Sequence, residues 1–321
     1  MSLLTFTINS TNEYHINRLN SLGWELTICN ALYPEKTPIR TVLSKKDSYG
    51  HVLYDYLSQW MPMEKIKKVI EIGGGYGYLM KDFLDRNGSL ETCMLDISPF
   101  LLSKQKETLG KHDVIFREED FLETDPAILA GFDLAILNEN MGDFPTLTNL
   151  RHEIFQTSFE TADPTLKRVL NLFEKYNFNL PERETFNLNI GAIEALEKLC
   201  YSGIPYIYLS EHSCEAVVPG SLRSLIRIES TGTPERISLM GHDEYSIKFS
   251  YLQQVADVFN YKNIRGFFAD FLTFDMTEKL RFILSSGGRY SDEDEMICQF
   301  VEDLYKYEYL ILIKQTDNRF H

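Results

Sequence analysis

The chain has 321 residues, 44% of them hydrophobic, which suffices for one large α/β domain with an insertion. Its formal net charge of −15 argues against a broad nucleic-acid-binding face, where clustered Lys and Arg are needed, and fits a soluble surface. Five cysteines without C-x-x-C spacing imply neither a disulfide framework nor a zinc site, and no metal is expected.

Met1 to Thr7 has no charged leader-like region, and no apolar run approaches a membrane span, so a reduced cytoplasmic setting is expected. Residues 1–64 mix short helical and extended patterns, with Tyr54, Tyr56, Leu57 and Trp60 on an amphipathic helix. This segment is expected to pack on a sheet and to cover a ligand.

Val69, Ile70 and Ile72 then form an apolar run typical of a central parallel strand. Gly73, Gly75 and Gly77 follow, residues that adopt positive φ and leave no Cβ between backbone and ligand. Leu79, Met80, Phe83 and Leu84 recur at helical spacing with Lys81, Asp82, Asp85 and Arg86 between them, and Asn87-Gly88 ends that helix. A dinucleotide fingerprint requires G-x-G-x-x-G, but its third glycine position is Tyr78 here. The pattern is G-x-G-x-G preceded by Glu71, so an NAD-type site is disfavoured.

Thr92 to Leu95 reads as a second buried strand ending in Asp96, where a carboxylate accepts hydrogen bonds from ribose hydroxyls, with Ile97 beside it. A third strand, Asp113 to Phe116, leads to Asp120, placed for an adenine amino group, and Phe121, placed to flank the ring. A fourth, Phe132 to Leu137, opens into the polar run Asn138 to Pro145, at the strand end where α/β proteins bind ligands.

Glycine turn, ribose acid, adenine acid and polar strand end occur in the order found in class I S-adenosylmethionine-dependent methyltransferases. Glu71 to Leu84, followed by Asp96-Ile-Ser-Pro-Phe-Leu-Leu-Ser-Lys-Gln105 and Leu109, resembles the MidA-like family of these enzymes. That family carries an E-I-G-x-G-x-G-x-L turn and an acid-x-S-P-x-L-x-x-x-Q helix start. Asn138-Glu139 with Pro145 is similar to its N-E-x-x-D-x-x-P loop, and Leu180-Pro181-Glu182, Asn189 and Ile190 to Leu199 before Gly203 resemble its later segments.

The resemblance implies a Rossmann-like class I methyltransferase fold, with a mostly parallel seven-stranded sheet, an antiparallel last strand and a helical insertion. It implies S-adenosylmethionine as cofactor, S-adenosylhomocysteine as product, and a protein arginine as acceptor, a small molecule being the alternative. Cofactor contacts are expected from Glu71, Gly73, Gly75, Gly77, Asp96, Ile97, Asp120, Phe121 and Asn138. Asn138, Glu139 and Asp143 are expected to line the acceptor site, where carboxylates grip a guanidinium by charge-assisted hydrogen bonds. Two departures stand out. Asp143 lies one position late, with Gly142 at the usual site, and Ile207 to Ser213 replaces an I-D-Y-G-like turn, leaving Glu211 as a candidate substitute. A noncatalytic cofactor-binding assembly factor is the reading these departures motivate.

Leu166, Val169, Leu170 and Phe173, then Ile190, Ile193, Leu196 and Leu199, predict helices in the long connection 146–202, read as a helical cap over the pocket between a cofactor half at 65–145 and a C-terminal half at 203–321. Val217 to Gly241 reads as an antiparallel excursion, with Ser224 to Ile228 pairing with Arg236 to Leu239. A helix from Phe249 to Phe259, a strand from Asn263 to Phe268, a helix around Met296 to Leu304 and a strand from Tyr309 to Ile313 complete the pattern. Ser291 to Glu295 reads as a solvated helix start, and His212 and His242 as ordinary hydrogen-bonded residues before catalytic bases.

Overall fold

Residues 6–22, 27–156 and 163–315 are described by the computed structural model of the chain. A short strand β1 (Thr7–Asn9) and three helices, α1 (Asn12–Asn17), α2 (Ile28–Leu32) and α3 (Tyr49–Leu57), precede the first central strand, β2 (Lys68–Ile72). Then α4 (Tyr78–Arg86), β3 (Glu91–Asp96), α5 (Pro99–Leu109), β4 (Val114–Glu118), α6 (Pro126–Leu129) and β5 (Leu134–Asn138) alternate, the order that builds a parallel sheet. Next come β6 (Thr146–Arg151), α7 (Pro164–Tyr176), β7 (Thr185–Leu188), α8 (Ile190–Ser202) and β8 (Tyr206–His212). The hairpin β9 (Arg236–Ser238) and β10 (Asp243–Tyr245) is followed by α9 (Phe249–Val258), β11 (Tyr261–Phe267), α10 (Glu278–Ser286), α11 (Asp292–Lys306) and β12 (Tyr307–Lys314).

Seven strands form one sheet in the order β11-β12-β8-β5-β2-β3-β4, parallel except for β12, which runs antiparallel to both neighbours. This is the expected Rossmann-like methyltransferase sheet. Alternation along its strands feeds two cores: Val69, Leu134, Ile136, Tyr309 and Ile311 face α3, α4, α10 and α11, while Ile70, Ile72, Ala135, Leu137, Leu310 and Leu312 face α7, α8 and α9. The chain winds outward in opposite directions from β2 and β5, so a crevice opens at their carboxyl ends.

The structure differs from the sequence expectations at several places. The connection 146–202 contains α7 and α8 as expected, but also β6 and β7, which with β1 make a second, antiparallel sheet. Both helices pack on one face of the main sheet beside α9, and none of this connection lines the crevice among the described residues. Arg236–Ser238 pairs with Asp243–Tyr245 and not with residues 224–228, because Gly241, at φ 104°, turns the chain back at once. Helix α10 was absent from the reading, although Thr277, whose side chain accepts from the Leu280 N–H, and Gly287, at φ 64°, mark its ends. Asp82, one of the polar residues between the apolar positions of α4, is buried and accepts from the Gly50 N–H of α3 at 3.1 Å. Trp60, expected in the helix and core, lies past the end of α3 and is exposed, and Asn87 caps α4 at φ −143°, outside the left-handed region.

All five cysteines are buried and free. Among the described residues no helix is long and apolar enough to cross a membrane.

Candidate active site

Beyond β2 the backbone enters the left-handed region three times, at Gly73, Gly75 and Gly77 with φ of 65°, 52° and 81°. An L side chain is strained there, and at Gly73 a Cβ would also collide with the Asn140 amide. The Gly73 N–H donates to the Leu95 carbonyl at 2.9 Å, tying the turn to β3. Gly73 and Gly75 line a cleft of about 1040 Å³, measured out to its open mouth, over the ends of β2, β3 and β5. Gly77 does not line it. That residue caps α4, and a Cβ there would make only ordinary contact with the Gln105 backbone at 3.4 Å, so the left-handed turn at φ 81°, not lack of space, calls for glycine.

Asp96 is buried at the end of β3. One carboxylate oxygen accepts from the Ser98 N–H at 2.9 Å and the other from Gln105 Nε2 at 2.8 Å. Gln105 also donates to the Gly75 carbonyl at 3.1 Å, and the Ser98 hydroxyl caps α5 by accepting from the Leu101 N–H. The spacing of acid, serine and glutamine therefore has a physical reason: two turns of α5 past its cap, Gln105 locks the acid against the glycine turn. Burial pushes the Asp96 carboxyl up to about 6, against the lowering effect of these hydrogen bonds.

Glu71 lies beneath the turn with 2% of its surface exposed, and its Oε2 has no hydrogen-bond partner. Burial, reinforced by the Asp96 charge, raises its carboxyl to about 8. A second unpartnered buried oxygen in the lining is Asn140 Oδ1, whose amide nitrogen donates to the Ile72 carbonyl. Sequence reasoning passed over Asn140, although it stands in the polar run after β5.

Ile97, Asp120 and Phe121 also line the cleft. Asp120 accepts from the Leu122 N–H at 2.9 Å and from Asn12 Nδ2 at 2.7 Å, so α1 is tied directly to the expected adenine acid. Thr11, Asn12, His15, Leu22, Thr27, Cys29 and Asn30 complete this wall, and no periodicity in the sequence pointed to them. The cover is thus the N-terminal segment, with Tyr76 holding it by accepting from the Leu22 N–H at 3.0 Å. Tyr78 lies in the lining and stacks on Tyr33 at 3.5 Å.

Asn138, Glu139 and Asp143 all reach the cleft, with different liberties. Asn138 Oδ1 accepts from Tyr49 at 2.6 Å and from Ser210 at 2.9 Å, while its nitrogen donates to Glu139, so this side chain is consumed in holding the loop. Glu139 sits at φ 54° and accepts from the Ile28 and Cys29 N–H groups at 2.6 and 3.1 Å. Desolvation nevertheless lifts its carboxyl to about 8, those two N–H groups working in the opposite direction. Asp143 meets His15 Nε2 at 2.9 Å and His242 Nε2 at 3.6 Å, a grouping hidden by sequence separation.

Glu211 is buried outside the lining, where it accepts from the Gly142 and His212 N–H groups at 3.0 and 2.7 Å. It fastens β8 to the β5 loop and has no place in the acceptor site. Gly142 belongs to the same arrangement, since a Cβ there would come within 3.1 Å of the Tyr245 carbonyl. His212 stacks on Tyr307 at 3.8 Å, away from the cleft.

The lining holds seven acids, Glu71, Asp96, Glu119, Asp120, Glu139, Asp143 and Glu244, and among the described residues no Lys or Arg. Such a cleft favours cationic ligands and repels anionic ones.

A family model described as "Putative S-adenosyl-L-methionine-dependent methyltransferase" matches residues 54–199. An uncharacterized superfamily protein from Burkholderia thailandensis shares the fold, with a TM-score of 0.50 and 13% identity over 83% of this chain and 79% of that one. A further member of that superfamily from the same organism, bound to S-adenosyl-homocysteine, gives a TM-score of 0.48 and 14% identity over 83% and 76%. The glycopeptide N-methyltransferase MtfA complexed with S-adenosylmethionine gives 0.42 and 10% over 83% and 94%. No curated protein matches the chain.

Proposed function

We propose that the chain, whose residues 54–199 match the family model of putative S-adenosylmethionine-dependent methyltransferases, methylates a cationic nitrogen nucleophile, a protein arginine side chain in particular. The observation that carries this reading is the acid-only lining of the cleft, which suits both a cationic cofactor and a guanidinium.

The cofactor's components fit the groups present. Glu71 Oε2, buried and without a partner, would accept from the cofactor's ammonium group, and Asn140 Oδ1 supplies a second acceptor in the same wall. Asp96, fixed by Ser98 and Gln105, keeps a lone pair on each oxygen for ribose hydroxyls, and Asp120 with Phe121 would take the adenine. When bound, S-adenosylmethionine supplies a sulfonium methyl that is already strongly electrophilic. The protein's remaining tasks are to align the nucleophile and to receive its proton.

Glu139 is assigned the second task. Its carboxyl, raised to about 8 and mostly protonated at pH 7, takes the proton through the ionised fraction that grows as pH rises toward that value, and its backbone at φ 54° sets its direction. Asn138 is a positioning residue, since its oxygen is taken by Tyr49 and Ser210 and one amide N–H holds Glu139.

The test incubates the full chain with methyl-labelled S-adenosylmethionine and arginine-rich, lysine-rich and neutral polypeptides, followed by acid hydrolysis and identification of the methylated residue. Label in methylarginine is expected. Label in lysine or only in small molecules would remove the arginine assignment, and cofactor binding with no label in any acceptor would favour an assembly factor. Asp96→Ala is expected to weaken S-adenosylhomocysteine binding about tenfold or more, the scale of one charge-assisted hydrogen bond. Unchanged affinity by calorimetry would contradict the ribose role.

A further inference from the structure

His15, Asp143 and His242 come from three separate parts of the chain: α1, the loop after β5, and the turn of the β9–β10 hairpin. Each offers one donor atom, and the three atoms lie within 4.8 Å of one another. His15 Nε2 is 2.9 Å from Asp143 Oδ1, and His242 Nε2 is 3.6 Å from the same oxygen. Ligand atoms at the vertices of a tetrahedral zinc site, each roughly 2.0–2.1 Å from the ion, stand about 3.3 Å apart. The observed separations bracket that value.

The donors are also aimed by their surroundings. Tyr14 stacks on the His242 ring at 4.2 Å and meets the His15 ring edge-on at 5.5 Å, so one aromatic residue orients both imidazoles. Gly241, at φ 104°, admits Tyr14, since a Cβ there would fall 2.8 Å from its ring. Thr11 donates to the Asp143 carbonyl at 2.9 Å, and Asn9 donates to the Asp243 carbonyl at 2.8 Å, so the strand and helix at the N-terminus are pinned to both other parts. The histidine side chains are at most 10% exposed, while Asp143 and His15 border the cleft.

We infer that His15, Asp143 and His242 form a binding site for a divalent transition-metal ion of the zinc type, at the edge of the cleft. Two imidazoles and one carboxylate are the donor set of a three-ligand zinc site, which keeps a fourth position for water or a ligand. Glu244 Oε1, 3.3 Å from His242 Nε2, stands beside that position. The ion would also clamp the N-terminal cover onto the hairpin. The inference rests on the side-chain geometry alone and is independent of the acceptor and of methyl transfer.

The test uses the untagged full chain, stripped with a chelator and titrated with Zn²⁺ by calorimetry and with Co²⁺ by visible absorption. One equivalent is expected to bind, and Co²⁺ should develop the intense bands of a tetrahedral complex. Asp143→Asn, His242→Gln and His15→Gln should each weaken binding at least tenfold, whereas His112→Ala, on a histidine outside the cluster, should bind as the parent does. Circular dichroism identifies the variants that keep the fold, and paramagnetic broadening by Mn²⁺ of histidine ring resonances in the parent chain locates the ion without any substitution. Absence of stoichiometric binding, an octahedral Co²⁺ spectrum, or binding that survives all three substitutions would overturn the site and leave hydrogen-bonded histidine–carboxylate pairs only.

Discussion

Glu71 illustrates how a single buried acid converts an empty-looking turn into a recognition device. With an oxygen lacking a partner and a carboxyl raised to about 8, it is mostly protonated at neutral pH. An ammonium group placed beside it favours the charged form and drives its proton out. Cofactor binding near pH 7 should therefore release up to about one proton, and affinity should rise with pH until roughly the raised pKa. Calorimetry of S-adenosylhomocysteine binding in buffers of different ionisation enthalpy reads this directly. Glu71→Gln should bind more weakly and release fewer protons; an unaltered proton count would mean that Glu71 does not face the ammonium. Gln105 offers a contrasting case, where a neutral side chain acts only by holding Asp96 and the glycine turn together.

Between elements, Gly50 sets how closely α3 approaches α4. A Cβ at this position of α3 would lie 2.7 Å from the Asp82 Cβ and 2.8 Å from the Leu79 carbonyl of α4. Gly50→Ala should therefore push α3 off α4, at a cost of about 1–3 kcal/mol for overpacking, which urea denaturation would measure. A stability equal to the parent's would show that the two helices separate without penalty. The pair matters beyond its own stability because Tyr49, next in line, holds Asn138 and through it Glu139. Loosening α3 should thus also broaden the geometry of the β5 loop.

Across the whole molecule, the raised acids make stability fall as pH rises. Glu71 and Glu139, at about 8, and Asp96, at about 6, bind protons more tightly when folded than when unfolded. Their contribution is complete below the ordinary carboxylate range and is lost as pH passes through the folded values. The depressed acids, such as Glu215 and Glu197, act oppositely but only at acidic pH, and burial lowers the His242 imidazole. Between pH 7 and 8.5 the ligand-free chain should accordingly lose on the order of 1–2 kcal/mol. Urea midpoints across that range check the slope, which should flatten in a Glu71→Gln, Glu139→Gln double variant. An unchanged slope would contradict the raised values.

The α/β class, the glycine turn and the acids at the ends of β3 and β4 were legible in the sequence. Each is a local pattern: period-two burial, helix spacing, or a residue type that the backbone itself requires at positive φ. Even the serine and glutamine after Asp96 were visible as a motif, because they act within the first two turns of a single helix. The remainder depends on contacts whose sequence distance carries no signal. Which residues of the expected N-terminal cover line the cleft, that 146–202 packs elsewhere, that the Asn138 oxygen is taken by Tyr49 and Ser210, and that His15 and His242 converge on Asp143 were all decided by tertiary structure. Local sequence determines what each strand end presents; only the packed sheet determines which other segments come within hydrogen-bonding distance of it, and so which acids still face the cleft.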